Sequence, residues 1–168
     1  MTISMYQASA PRFANTLRNL SAILDKAQAY CEAKKIEPTV LTGSRLYPDM
    51  YPLSRQVQIA CDTAKGAVAR LAGVEIPKHE DTEQTFDELK ARIAKTIAFV
   101  ESVKPVQIDG TEAKEIVLKL GGREVKFSGA QYLLGSAHPN FYFHTTTAYN
   151  ILRHNGVDIG KRDFIGTP

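Results

Sequence analysis

Along the first fifth of the chain, apolar residues return every three or four positions: Phe13, Leu17, Leu20, Leu24, Ala27 and Cys31. Steps that alternate between four and three stay on one side of an α-helix, which turns about 100° per residue. Asn19, Lys26 and Lys34 fall off that stripe. The pattern predicts a helix over residues 5–34. Pro11 is tolerable there only in the first turns or at a kink, because proline brings no amide proton to the ladder. The stripe then stops in "KKIEPTVLTGSRLYPDMYPL", where three prolines and one glycine mark a long structured loop. A second stripe, Leu53, Val57, Ala60, Ala64, Val68 and Leu71, predicts a helix over 51–72 with Pro52 in its first turn and Gly73 at its end. The third, Phe86, Leu89, Ile93, Ile97, Val100 and Val103, follows "HEDTEQ" and ends at Pro105. Within that lead-in, Asp81 or Thr82 can cap the free amides and Gln84 can reach back.

The period then changes. In "KEIVLKLGGREVKFSG", Ile116, Leu118 and Leu120 stand in alternation, then Gly121-Gly122, then Val125 and Phe127. Two short alternating runs joined by Gly-Gly predict a β-hairpin, since both turn residues can take positive φ cheaply. Ser128 can cap a short helical segment, "GAQYLLGSA"; Pro139 opens the main part of a last helix, and Asn155-Gly156 closes it. There is no internal repeat. Helices of twenty-odd residues with amphipathic faces predict an all-α fold, an antiparallel four-helix bundle with a small β-hairpin between helices 3 and 4, in a single domain over 1–168.

Composition adds exclusions. The chain has 168 residues, 43% hydrophobic and 23% charged, with a net charge of +3. That suits an ordinary soluble core, and the lysines and arginines are scattered. No basic recognition helix and no stacking platform appears, so a nucleic-acid partner is not expected. No apolar run approaches the roughly 18 residues a membrane span needs, and the N-terminal stretch lacks the basic-then-apolar order of a secretory signal. Cys31 and Cys61 make no disulfide framework or CxxC spacing and read as buried thiols. A cytoplasmic location follows as the default expectation.

The densest chemistry lies in "HPNFYFHTTTAYNILRHNG", which holds three of the four histidines. A helical metal pair needs ligands three or four apart. His138 and His144 are six apart, about 240° around, and His144 and His154 stand roughly 15 Å apart along the axis. His144 shares a stripe with Phe141, Ala148 and Ile151, so it should point inward; Asn140 and Thr147 flank it on the same side. A core histidine bonded to a neighbouring carbonyl or hydroxyl and a histidine in a ligand pocket are both compatible with this. Gln56 lies beside the stripe of the second long helix and can reach the interior. Arg55 and Asp62 on a neighbouring face suit surface or interhelical pairing, or a carboxylate orienting a site residue. Tyr142, between two phenylalanines, is a packing residue with a polar tip. His154 complements a helix C-terminus, and His79 sits in a solvated loop.

The proline-rich link "LYPDMYPLSRQVQIACD" and the ending "NFYFHTTTAYNILRHNGVDIGKRDFIG" resemble the DinB/YfiT-like superfamily, in its branch of small bacterial and fungal proteins built on a domain of unknown function. The resemblance covers nearly the whole chain. It implies a DinB-like bundle, commonly a homodimer, whose metal-bearing relatives hold zinc or nickel with one histidine of helix 2 and two histidines four apart in the last helix. Some such relatives are thiol S-transferases using bacillithiol, mycothiol or glutathione, and others are maleylpyruvate isomerases. Carried over, the three ligand positions fall on Gln56, Asn140 and His144, so one imidazole survives beside two weak neutral oxygen donors. The resemblance thus implies a degenerate metal site reused for a small molecule. Gln56, Asn140, His144 and Tyr142 would be its contacts and His144 its hydrogen-bonding group or base. Two further readings stay open: a divalent-metal-dependent thiol S-transferase with His138 or His79 as substitute ligand, and a structural or stress-associated dimer without activity. The cofactor expectation lies between none and a weakly held divalent metal.

Overall fold

The computed structural model describes residues 2–166. The expected first helix is two: α1 (Met5–Ala8) and α2 (Ala10–Lys34), separated by Ser9 at φ −116°, ψ −88°. Pro11 is the reason. It occupies the second position of α2, where the amide it lacks would have no helical partner. Every residue of the predicted stripe from Phe13 to Cys31 is buried. The following loop contains a short helix, α3 (Pro38–Thr42), that the prolines do not announce as such; Pro38 opens it, and Leu41 and Thr42 are buried.

Helix α4 (Leu53–Ala72) starts one residue after Pro52, which is its N-cap rather than a first-turn residue, and it ends on Gly73 at φ +73°. Helix α5 (Phe86–Ser102) is not capped by Asp81 or Thr82. The Thr85 hydroxyl accepts from the Glu88 amide at 3.3 Å, and the Glu88 carboxylate accepts from the amides of Thr85 at 2.9 Å and Gln84 at 2.8 Å. Those backbone donors hold the Glu88 carboxyl below its ordinary pKa. Pro105 ends α5, as expected, and also opens one further turn, α6 (Pro105–Ile108).

Strands β1 (Glu115–Leu120) and β2 (Arg123–Ser128) pair antiparallel, Glu115 opposite Ser128 and Leu120 opposite Arg123. Gly121 and Gly122 have φ of +56° and +80°, as a two-residue hairpin turn requires. Helix α7 (Gly129–Tyr132), capped by Ser128, continues through a π turn at Leu133–Ala137 into α8 (His138–His154). The last helix therefore starts at Gly129 and is not opened anew by Pro139. The ladder widens before the proline, with the His138 amide donating five residues back to the Leu133 carbonyl.

Helix α4 packs on α5 and α8, and α2 on α5 and α8. Their facing residues, among them Phe13, Leu24, Val57, Leu71, Leu89, Phe141 and Ile151, form one continuous apolar core. The chain end turns back: α9 (Lys161–Ile165) lies on α2. It is tied by Lys26–Asp163 at 2.7 Å, by Asn19 Nδ2 donating to the Phe164 carbonyl at 3.1 Å, and by Phe164 edge-on to Tyr149. No described helix is long and apolar enough to cross a membrane.

Candidate functional site

Helices α4 and α8 run antiparallel, so the first turn of α4 meets the middle of α8. There the Gln56 side chain, 1% exposed, bridges Tyr51 and His144. Its Nε2 donates to the Tyr51 carbonyl at 3.0 Å, which turns Oε1 toward His144 Nδ1 at 2.7 Å. An amide oxygen can only accept. The network therefore assigns the imidazole proton to Nδ1 and leaves a lone pair on Nε2. The bond at Nδ1 is the one hydrogen bond of the ring among the described residues, and His144 keeps 8% of its surface exposed. Burial, then the nearby Arg55 guanidinium, lowers the His144 pKa below its ordinary value. The result is a neutral, oriented imidazole with Phe143 edge-on to its ring.

The other expected site residues do not converge on this pair. Asn140, one turn before His144, is exposed rather than inward, and its Nδ2 donates to Thr63 Oγ1 at 2.7 Å. Tyr142 is 37% exposed on a different side of α8, its ring parallel to His138 at 5.7 Å between centroids. His138 also stacks with Phe13 and hydrogen-bonds the Ala8 carbonyl at 2.8 Å through Nε2, leaving Nδ1 buried with no partner among the described residues. Burial lowers its pKa. His79 is half-buried, not solvated, and its Nδ1 also lacks a partner among the described residues. His154 is exposed in the last turn of α8.

Arg55 and Asp62 do not pair with each other. Both belong to a network centred on Arg92, a residue that the sequence reading passes over. Arg92 is 2% exposed. Its Nη2 meets Asp62 at 2.7 Å and Asp81 at 2.9 Å, and its Nη1 donates to Glu83 at 3.0 Å and to the Glu80 carbonyl at 2.9 Å. Arg55 joins through Asp81 and Gln58. A signal existed: an arginine between Leu89 and Ile93 on the inner half of a helix, preceded by the acidic run "HED" and Glu83.

The donor set does not fit a divalent metal. The Gln56 oxygen already accepts from His144 Nδ1, and the Asn140 side chain engages Thr63. Among the described residues, no three or more His, Cys, Asp or Glu side chains stand close enough to share an ion. Further along α4, at Asp62–Arg70, a groove of about 520 Å³ opens between α4, the π turn and β1; Asn140 lines it, one turn from His144, while Gln56 and His144 do not. Asp62, Thr63, Arg70, Lys119, Tyr132, Ser136 and Asn140 supply its polar lining.

Comparison with known proteins agrees with the topology. The family model for a domain of unknown function, DUF1993, matches residues 5–165. A crystal structure of a DinB family member protein from Shewanella denitrificans is 44% identical, with 97% of this chain and 92% of that chain covered and a TM-score of 0.88. No curated protein matches.

Proposed function

Because the chain belongs to the DUF1993 family of DinB-like proteins, whose function is unknown, we propose that it binds a small organic molecule without a metal, where α4 meets α8. The supporting observation is the Tyr51–Gln56–His144 chain. Two of its members, Gln56 and His144, are positions to which the resemblance assigns metal ligands, and the Gln56 oxygen is spent on orienting an imidazole. Nε2 of His144 then serves as a neutral acceptor or general base toward the ligand. Asn140 stands one turn along the same helix, a separation of about 5–6 Å between such side chains, and is the residue that connects His144 to the groove it lines. Its volume falls in the range of small-molecule sites, about 300–1,000 Å³. Tyr142 faces His138 and takes no part. We read α2, α4, α5 and α8 as the DinB-like antiparallel bundle of a single domain, working as a homodimer; sedimentation analysis tests the dimer.

Two measurements test the function. Elemental analysis of untagged protein, before and after dialysis against zinc and nickel, should find no stoichiometric metal. A thermal-shift screen of small organic compounds should find ligands that raise the melting temperature, since binding only the native state at a hundredfold excess over Kd adds about 2.7 kcal/mol. His144→Ala and Asn140→Ala should remove that rise. Near-stoichiometric metal that is lost in His144→Ala would replace this reading with a divalent-metal-dependent transferase. Neither metal nor ligand would leave a structural dimer.

A further inference from the structure

Arg70, in the last turn of α4, is a cation without a counter-charge: among the described residues no carboxylate lies within ion-pair distance of it. Its Nη1 donates to the hydroxyl of buried Tyr132 at 3.1 Å, and the guanidinium lies 5.9 Å from that ring's centroid. A guanidinium carries five donors, so most remain free for a ligand. Its posture depends on Gly66, one turn earlier. A Cβ at residue 66 would stand 2.4 Å from Arg70 Nη1, and the next two nearest side-chain atoms, at 3.5 and 3.9 Å, belong to the same guanidinium. Glycine is a poor choice in the middle of a helix. Here it lets the guanidinium fold back along α4 onto Tyr132, beside the groove, instead of reaching into solvent.

The rest of the groove matches that charge. Lys119 on β1 is exposed and has no ion pair among the described residues. Thr63, Ser136 and Asn140 bring neutral polar groups, and Leu118 and Ala137 an apolar wall. The one carboxylate in the lining, Asp62, already accepts from Arg92 at 2.7 Å and Lys65 at 2.8 Å. Two unpaired cations facing a neutralised carboxylate leave the groove electropositive.

We infer that the groove's ligand is an anion, a carboxylate or phosphate monoester on a small organic body, and that Arg70 is the residue that grips it. A planar guanidinium offers paired N–H donors to either group, and lysine adds a point charge. The inference rests on the binding reading above and names its ligand class.

Calorimetric titration with benzoate, phenyl phosphate and neutral benzamide tests it, using the wild type, Arg70→Gln, Gly66→Ala and Asn140→Ala. At least one anion should bind, with benzamide at least tenfold weaker, and the stronger anion separates a carboxylate from a phosphate site. Arg70→Gln should weaken anion binding at least tenfold and leave benzamide unchanged. Gly66→Ala should weaken the anion in the same way without lowering the melting temperature, because alanine favours the helix while its methyl displaces the guanidinium. Benzamide binding as well as either anion, anion binding indifferent to Arg70→Gln, or no anion binding at all would each overturn the inference. Benzamide binding that Asn140→Ala removes would sink the anion while keeping the small-molecule reading, and the metal assay decides that reading separately.

Discussion

Gln56 is the residue on which the state of His144 depends. Replacing it by leucine strands the His144 Nδ1–H and the Tyr51 carbonyl, which now satisfy each other through the amide. An unpaired buried polar group costs about 1–3 kcal/mol, so Gln56→Leu should lower the melting temperature by roughly 2–10 °C. A second outcome concerns pH. His79, His138 and His144 all have pKa values lowered from 6.5, mainly by burial. Below pH 6.5 the unfolded chain takes up protons that the native imidazoles refuse. Stability is therefore fully present above that pH and falls as pH drops through 6.5 toward the native values. Urea unfolding between pH 5 and 7.5 should show the decline, and NMR titration should place the His144 imidazole below 6.5. Much of this site was legible in sequence, because Phe141–His144–Ala148–Ile151 marks an inner stripe. Asn140 was not: periodicity gives the side of the helix a residue lies on, and how far a neighbouring helix covers that side depends on tertiary packing. At Asn140 that neighbour is a groove wall.

Stops and starts of the elements show the same division. Gly73, Gly121-Gly122 and Asn155-Gly156 were readable because a positive φ or a helix end has a local cause. The α5 cap was misplaced by three or four residues, since "HEDTEQT" offers several side chains able to cap and only the helix's final register selects Thr85 with Glu88. Thr85→Ala should cost about 0.5–2 kcal/mol in chemical denaturation. The π turn at 133–137 has no sequence signature, since it arises where a helix must pass Pro139 while keeping both halves packed. Its entrance is tightly built. A Cβ at Gly129 would lie 2.0 Å from the Thr111 carbonyl oxygen, a backbone atom that cannot swing aside. Gly129→Ala should destabilise by about 1–3 kcal/mol and lower the melting temperature, whereas Gly135→Ala, with open space around it, should not.

For the molecule as a whole, Arg92 joins α4, α5 and the segment between them through Asp62, Asp81 and Glu83. Arg92→Met keeps the volume and removes the charge, leaving three carboxylates facing one another. The loss should be roughly 2–3 kcal/mol, below the range for sealed pairs because the Asp62 and Asp81 side chains are 39% and 37% exposed. Urea unfolding of the variant measures it, and Asp87→Asn, at an exposed i,i+3 pair with Lys90, should change stability by no more than about 0.5 kcal/mol. The sequence by itself determined the helical stripes, the hairpin, the buried cysteines and the inward His144, because each is set by a short-range period or by the conformational freedom of one residue. Only the tertiary structure decided that Gln56 orients His144, that Asn140 turns to Thr63, that Arg92 gathers three acids, and that Arg70 donates to Tyr132, 62 positions away, beside an open groove. The helices bring together residues 88, 77, and up to 30 positions apart in those contacts, where no local pattern couples them. Which polar groups find each other is then a matter of how the elements pack.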